Sequence, residues 1–426
     1  MPTTQSLKKQ FFQSIQCGTG KAYIIAQENP DVDFASYIIK GALNNYAYDG
    51  QSEGSRATYI FELISLSGQQ AKIREAILEG LATEQDDTWS LVQLFNLAKM
   101  YAERGDAEAK KAIYQRFMCN TIEGSSWAGY DEILALDGLK GLFFIAEKFG
   151  KKLEEDPDYW QDRFIVDSFQ KENPNIPVTA ELEAAAKTNR HIRIYLDEIN
   201  KREDKQEAHR SARPVYDNIL DEIFARPFIL RKLDGTELLI VANQLLIEKD
   251  KGKFEKMLAV FARNQFPFDP DFIFRLTKRR PTSKNRIQEY ALDALKLLQS
   301  DEIRAFALER IPKARLYPAT FTSLLIANYQ EGDAELLCQV IDKFKDEHII
   351  EELAISYAQI FDKNPTPACK EPLERLYRKM NCGIHRYGIL KTLMQNDVLS
   401  DMIKREIKHD SYEGTRALLK QNEIQE

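Results

Sequence analysis

The chain has 426 residues, of which 43% are hydrophobic and 29% charged, and its formal net charge is −7. At about 100–200 residues per domain this length holds two or three domains, or one continuous repeat array, and a chain of this size builds a core without disulfide or metal staples. The composition excludes intrinsic disorder, and the acidic balance excludes a molecule whose whole surface coats nucleic acid.

The five cysteines, Cys17, Cys119, Cys338, Cys369 and Cys382, are odd in number and widely spaced. They do not read as a secreted disulfide framework, so a reducing compartment is expected. Lys8-Lys9-Gln10-Phe11-Phe12 is followed by no apolar signal-like run, and no stretch is long and apolar enough to span a bilayer. The expectation is a cytoplasmic protein that contacts no membrane.

In chain order, Gly18-Thr19-Gly20-Lys21 looks like the end of a phosphate-binding loop, but Ile15 and Ala22 occupy positions that the full motif reserves for Gly and Ser or Thr. It reads as a helix start. Asn44, Asn45, Tyr46, Tyr48, Asp49, Gln51, Glu53 and Arg56 form a polar-aromatic cluster. Tyr46, Tyr48, Asp49, Glu53 and Arg56 are candidate partner contacts, because tyrosine and arginine are favoured interface anchors. A structural network locking the first helices is the competing reading. Gly50-Gln51-Ser52-Glu53-Gly54 has the spacing of a nucleophile elbow, but no strand precedes it, so it reads as a turn between helices.

Leu91 to Ala102 places apolar residues three and four apart and stops at Gly105-Asp106, where glycine suits a helix end and aspartate the next N-cap. Ala107 to Phe117 is a second amphipathic helix, completing a short hairpin. Leu136-Asp137-Gly138 is echoed by Leu233-Asp234-Gly235, and each aspartate is expected to cap the following helix. Residues 154–178 are rich in proline, acids and amides. Ala180 to Ala212 reads as one long charged helix ended by Pro214, bridging two sub-arrays, 1–153 and 216–426. Residues 226–315 carry nineteen Lys/Arg and twelve Asp/Glu, a local balance of +7 that leaves −14 elsewhere. Within them Arg275, Lys278, Arg279, Arg280, Lys284 and Arg286 surround Pro281 and make segment 275–286 a candidate contact for phosphates or an acidic partner, against the plainer reading of a solvated loop.

One pattern recurs: a turn or cap residue, a basic residue, a small residue, then aliphatics. It occurs at Gly54–Ile60, Lys284–Leu292, Asp301–Leu308 and Glu413–Leu419, and more loosely at Gly20–Ile24 and Gly383–Leu390. A small residue admits close approach of a neighbouring helix, and each hairpin buries its face by stacking on the next. Arg304 and Arg416 are expected to satisfy carbonyls or a carboxylate of the adjacent turn. The pattern resembles the HEAT repeat family, with Asp301–Leu308 the nearest copy. That resemblance implies an all-α fold, a HEAT-like α-α superhelix or solenoid of stacked helical hairpins, with helix above about 60% of residues against a usual third.

Two further motifs bear on chemistry. Cys382-Gly383-Ile384-His385, with Cys369 and His409 on either side, contains zinc-type donors, but the spacings match no common zinc module, so no metal or other cofactor is expected. Trp127 and Asp131 are loosely similar to the aromatic-plus-aspartate site of HEAT-like alkylpurine DNA glycosylases, although this chain is acidic. No constellation specifies a reaction and no catalytic residue is assigned. The expected function is a non-catalytic protein-binding scaffold or adaptor of the HEAT type. The alternatives are a nucleic-acid-binding or glycosylase-like HEAT protein, with contacts through 275–286, and a helical lyase or enzyme-accessory subunit.

Overall fold

The computed structural model describes residues 3–156, 158–211, 216–226, 229, 231–278 and 285–423. Helix accounts for 71% of the chain, and no strand occurs among the described residues. The expected all-helical class is therefore met. The chain divides into two compact units, residues 1–214 with 409–411 and residues 215–408 with 412–426.

The first unit has a continuous core running from Phe11 and Ile15 through Leu94, Phe95 and Phe149 to Tyr195 and Ile199. Its helices form where sequence caps and spacing agree. Asp87 accepts from the amides of Trp89 and Ser90 and starts Thr88–Ala102, which buries Leu91, Leu94, Phe95, Leu97 and Ala98 on one face. Burying each leucine contributes roughly 2 kcal/mol. Gly105, at φ +91°, ends the turn, and Asp106 caps Ala107–Met118 through the amides of Glu108 and Ala109, as its sequence position suggests.

Two expectations are corrected here. The segment 180–212 is not one helix: Val178–Ala186 is followed by Arg190–Ser211, because Asn189 accepts from the amides of His191 and Ile192 and restarts the chain. Through residue 214 this segment belongs to the first unit. There Arg190–Ser211 packs against Leu139–Glu155. At their contact a Cβ on Gly150 would lie 1.8 Å from the His191 carbonyl oxygen, so only glycine admits this approach. Nor does Asp137 cap the helix after it. It ends Tyr130–Asp137 and accepts from Lys110 at 2.6 Å and the Tyr114 hydroxyl at 2.5 Å. Its counterpart Asp234 does cap, in a reciprocal box with Glu237.

The second unit has its own core, from Ile219 to Leu418. One row of helices packs successively: Pro318–Thr322 against Glu347–Lys363, then Gly383–Gln395, then Glu413–Glu423. Asp333–Lys343 and Lys370–Lys379 pack on each other beside this row.

In three copies of the recurrent segment the arginine donates to backbone carbonyls. Arg56 donates from Nη1 to the carbonyls of Ile15 and Gln16, at 3.3 and 2.5 Å. Arg304 donates to the Asn328 carbonyl at 2.7 Å. Fully buried Arg386 donates to the carbonyls of Met380 and Asn381, at 3.2 and 2.8 Å. These carbonyls satisfy donors that burial removes from water, and at Arg56 and Arg304 a carboxylate, Glu53 or Asp333, joins them. Arg416 is half-buried in the first turn of Glu413–Glu423.

Candidate partner-binding groove

A groove of the second unit lies where helices of unequal length meet. Pro318–Thr322 has 5 residues and its neighbour Glu347–Lys363 has 17. At 1.5 Å per residue these span about 7 and about 25 Å, and the short helix runs on into the 3-10 turn Ser323–Leu325, which also packs on the long helix. The short helix starts with Pro318, whose fixed φ suits a first-turn position, after Tyr317 at its N-cap. It is pinned to the long helix by a 2.8 Å hydrogen bond between the buried hydroxyls of Thr322 and Ser356.

The groove measures about 1060 Å³ and lies between Ile287–Leu295 on one side and Pro318–Thr322 and Glu347–Lys363 on the other. Ser323, Ser356 and Thr320 contribute polar lining, and Tyr317, Phe321 and Ile355 contribute apolar surface. Tyr317 is 63% exposed and Ile355 43%. An aromatic and a branched aliphatic side chain left open in a concave site are the type of surface that anchors a partner.

The groove's charges are balanced. Lys251, Arg286 and Lys296 face Glu289, Asp293 and Glu352. Arg286 is forked onto Glu289, with Nε 2.8 Å from Oε2, and also donates to the Tyr290 hydroxyl at 3.0 Å. That bond holds the Glu289 carboxyl below its ordinary pKa. Lys296 pairs with Asp293 at 2.5 Å. Arg286, Asp293 and Lys296 also line an adjoining cavity of about 420 Å³, which adds Arg231, Lys256 and Arg263. Arg231 there is held by Glu222 and Glu237, at 3.0 and 2.6 Å, and Lys256 donates to the Phe224 carbonyl at 2.6 Å. The second cavity is thus basic in composition, with most of its cations already engaged.

Of the candidate basic segment, Arg286 lies on the ridge shared by the two cavities. Arg275 pairs with Asp271 at 3.2 Å, and the Lys278 ammonium sits 4.9 Å over the Phe274 ring. Arg279, Arg280 and Lys284 lie outside the described residues.

Within the N-terminal cluster, Arg56 and Glu53 are enclosed in internal structure. Arg56 is 4% exposed and pairs with the equally enclosed Glu53 at 3.7 Å. Its amide donates to Gln93 Oε1 at 3.2 Å, and Gln93 in turn donates to the carbonyls of Gly41, Ala42 and Asn44. Asp49 caps the short helix Gly50–Glu53 and accepts from the Ser52 hydroxyl at 2.5 Å. Ser52 therefore lies in the first turn of a helix, bonded to its cap, and not at a strand end. Tyr46 is half-buried against Phe12, with ring centroids 6.0 Å apart. Tyr48 alone of this set is an exposed large side chain, at 37%.

Trp127 donates from its indole nitrogen to the Gly124 carbonyl at 3.0 Å and lies 5.7 Å from the Trp89 ring. Beside Asp131, the sequence reading passed over Glu132. Its carboxyl is 4% exposed, accepts from Asn96 Nδ2 at 2.7 Å, and is pushed up to about 7 by burial. Its acidity gave no cue, because burial is set by Leu91–Ala102 packing on the next helix rather than by any local motif.

The groove itself was also absent from the sequence reading. Pro318 within an apolar stretch was the available signal, since it marks the start of a short helix on the groove's edge. No family model, no curated protein and no solved structure matches the chain.

Proposed function

We propose that the protein is a non-catalytic, HEAT-like scaffold whose second unit holds a segment of a partner protein in the groove between Ile287–Leu295 and Glu347–Lys363. The observation that carries this reading is the exposure of Tyr317 and Ile355 within a concave, charge-balanced site. Stacked helical hairpins commonly present such surfaces to proteins, with specificity supplied by one rim. The segment best suited to the site places an apolar side chain against Tyr317, Phe321 and Ile355. Its polar groups meet a groove of balanced charge and an adjoining cavity whose cations are mostly engaged.

Charge pairing within the site weighs against nucleic acid as its occupant. Phosphate recognition draws its affinity from cations that neutralise phosphates and release counterions. Here Arg286, Lys296 and Arg231 already hold carboxylates of the protein itself.

The test is quantitative capture from the native cell with Ile355→Glu beside the wild type. Ile355 is exposed, so the change leaves the fold intact while placing a charge in the groove. The reading expects a defined protein to be captured stoichiometrically by the wild type and at least about tenfold less by the variant, the loss expected when an apolar interface anchor is replaced by a charge. Equal capture by both would remove the groove from the account.

A further inference from the structure

Glu351, Cys382 and His385 bring a carboxylate oxygen, a thiol sulfur and an imidazole nitrogen within 4.8 Å of one another. We propose that these three side chains form a binding site for a divalent transition-metal ion, Zn²⁺ by preference, with a further coordination position open to water or a partner's ligand. This revises the expectation drawn from spacing alone, in which Cys369 and His409 were the other donors considered.

The site is assembled by two packed helices, Glu347–Lys363 and Gly383–Gln395. Cys382 is the N-cap of the second helix, in extended conformation, and makes no side-chain capping bond there. The N-cap and third helical positions lie one turn apart on one side, which places Cys382 Sγ 3.1 Å from His385 Nδ1. Glu351, in the first half of the longer helix, brings Oε1 to 2.7 Å from the same nitrogen.

Both contacts fall on Nδ1, and that fact discriminates between chemistries. In a cysteine–histidine–acid relay the thiol and the carboxylate engage opposite ring nitrogens, so that the proton passes through the ring. Here one nitrogen faces both groups, and it carries at most one proton for the two of them. A cation placed among the three atoms satisfies all of them together. Tetrahedral zinc, with bonds of about 2.0–2.3 Å, holds its ligand atoms roughly 3.3–3.6 Å apart. The two separations from Nδ1, 2.7 Å to the carboxylate and 3.1 Å to the sulfur, need to open by less than about 1 Å to reach that arrangement.

Charge and softness agree with the geometry. Glutamate and thiolate supply two negative charges beside a neutral imidazole, which a divalent ion balances. A sulfur, nitrogen and oxygen set selects zinc-like ions over Mg²⁺ or Ca²⁺. Cys382 is 2% exposed, whereas the His385 and Glu351 side chains are 26% and 13% exposed, so the site has a buried anchor and an open side. Three protein ligands with solvent access is the pattern of an exchangeable position. On loading, the Cys382 S–H bond breaks, sulfur donates its electron pair to the metal, and the proton leaves to solvent.

The experiment uses the full-length, tag-free chain, stripped with a chelator and titrated with Zn²⁺ and separately with Co²⁺. The site predicts one ion per chain, proton release on binding, and a near-ultraviolet thiolate-to-cobalt charge-transfer band. Cys382→Ser abolishes that band, while Cys369→Ser and Cys338→Ser keep it. Glu351→Gln and His385→Gln weaken Zn²⁺ binding at least about tenfold with unchanged helical circular dichroism. Absence of the band in the wild type, or its loss in Cys369→Ser with retention in Cys382→Ser, overturns the proposal. Should Cys382→Ser fail to fold, the near-isosteric Glu351→Gln decides, and an unchanged Zn²⁺ affinity in that variant overturns the site.

Discussion

Arg304 and Asp333 meet edge to edge, with Nη1 2.6 Å from Oδ2 and Nη2 2.8 Å from Oδ1. The carboxylate side chain is 7% exposed and the guanidinium 15%. The pair ties the helix Asp301–Arg310 to the start of Asp333–Lys343, and Arg304 also closes the Asn328 carbonyl of the intervening turn. A planar fork against a carboxylate is the geometry in which arginine is not replaceable by lysine.

Removing one member of such a pair leaves the other buried without its counterion. Arg304→Ala is therefore expected to destabilise the second unit by about 2–4 kcal/mol. Asp333→Asn should cost less, because the amide oxygen still accepts. Denaturant melts followed by circular dichroism check both, and a wild-type midpoint for Arg304→Ala would show that the fork contributes nothing.

Glu132 gives a prediction with a defined pH window. Burial raises its folded pKa from 4.5 to about 7, so the native state holds this proton more tightly than the unfolded chain does. Its favourable contribution is fully present below about pH 4.5 and is lost as pH rises through about 7. Glu132→Gln keeps an acceptor for Asn96 and removes the charge. It should melt above the wild type at pH 8, by an amount equivalent to about 1–3 kcal/mol, and equal it near pH 4. The opposite ordering at pH 8 would mean that the ionised carboxylate is stabilised in place.

Asp106 behaves in the reverse sense. The Arg74 guanidinium, at 2.5 and 2.9 Å, holds its carboxyl down to about 2, against an ordinary 3.8. A depressed pKa contributes stability above about pH 4 that disappears as pH falls toward 2. Arg74→Ala should lower stability at pH 7 by about 1 kcal/mol, allowing for partial solvent screening, and the difference should vanish near pH 2. Acid titration of the two melting curves checks it, and a gap that persists at pH 2 would rule out this pair as the cause.

Nucleic-acid binding through 275–286 is expected to be absent at physiological salt. A mobility-shift series against duplex and single strands, with Arg279, Arg280 and Lys284 all changed to Glu beside the wild type, checks this. A wild-type shift that falls steeply with salt and disappears in the triple variant would establish a phosphate-contacting surface.

Helix content and many helix ends were readable because they depend on local chemistry: apolar spacing in Leu91–Ala102, and carboxylate caps at Asp106 and Asp234. The break at Asn189 was not read, because charged residues run evenly through it and one amide side chain makes the difference. Asp137 misled for a related reason. Its surroundings match those of Asp234, yet Lys110 and Tyr114 claim its carboxylate from another helix. The groove depends on how separate helices pack, and the Glu351–Cys382–His385 cluster joins positions 351 and 382 through packing. Neither leaves a periodic trace in the chain. Arg56 was noticed for its residue type, but type does not distinguish an interface arginine from one that caps internal carbonyls.

The central claim is that the groove holds a protein, and site-specific photocrosslinking in the native cell tests it most directly. A photoreactive residue is placed at Ile355, and, as a control, at exposed Lys111 on the helix Ala107–Met118. The account predicts one dominant protein adduct from position 355, absent from position 111 and diminished when Tyr317→Ala is added. A nucleic-acid adduct at 355, or the same adducts from both positions, would contradict it.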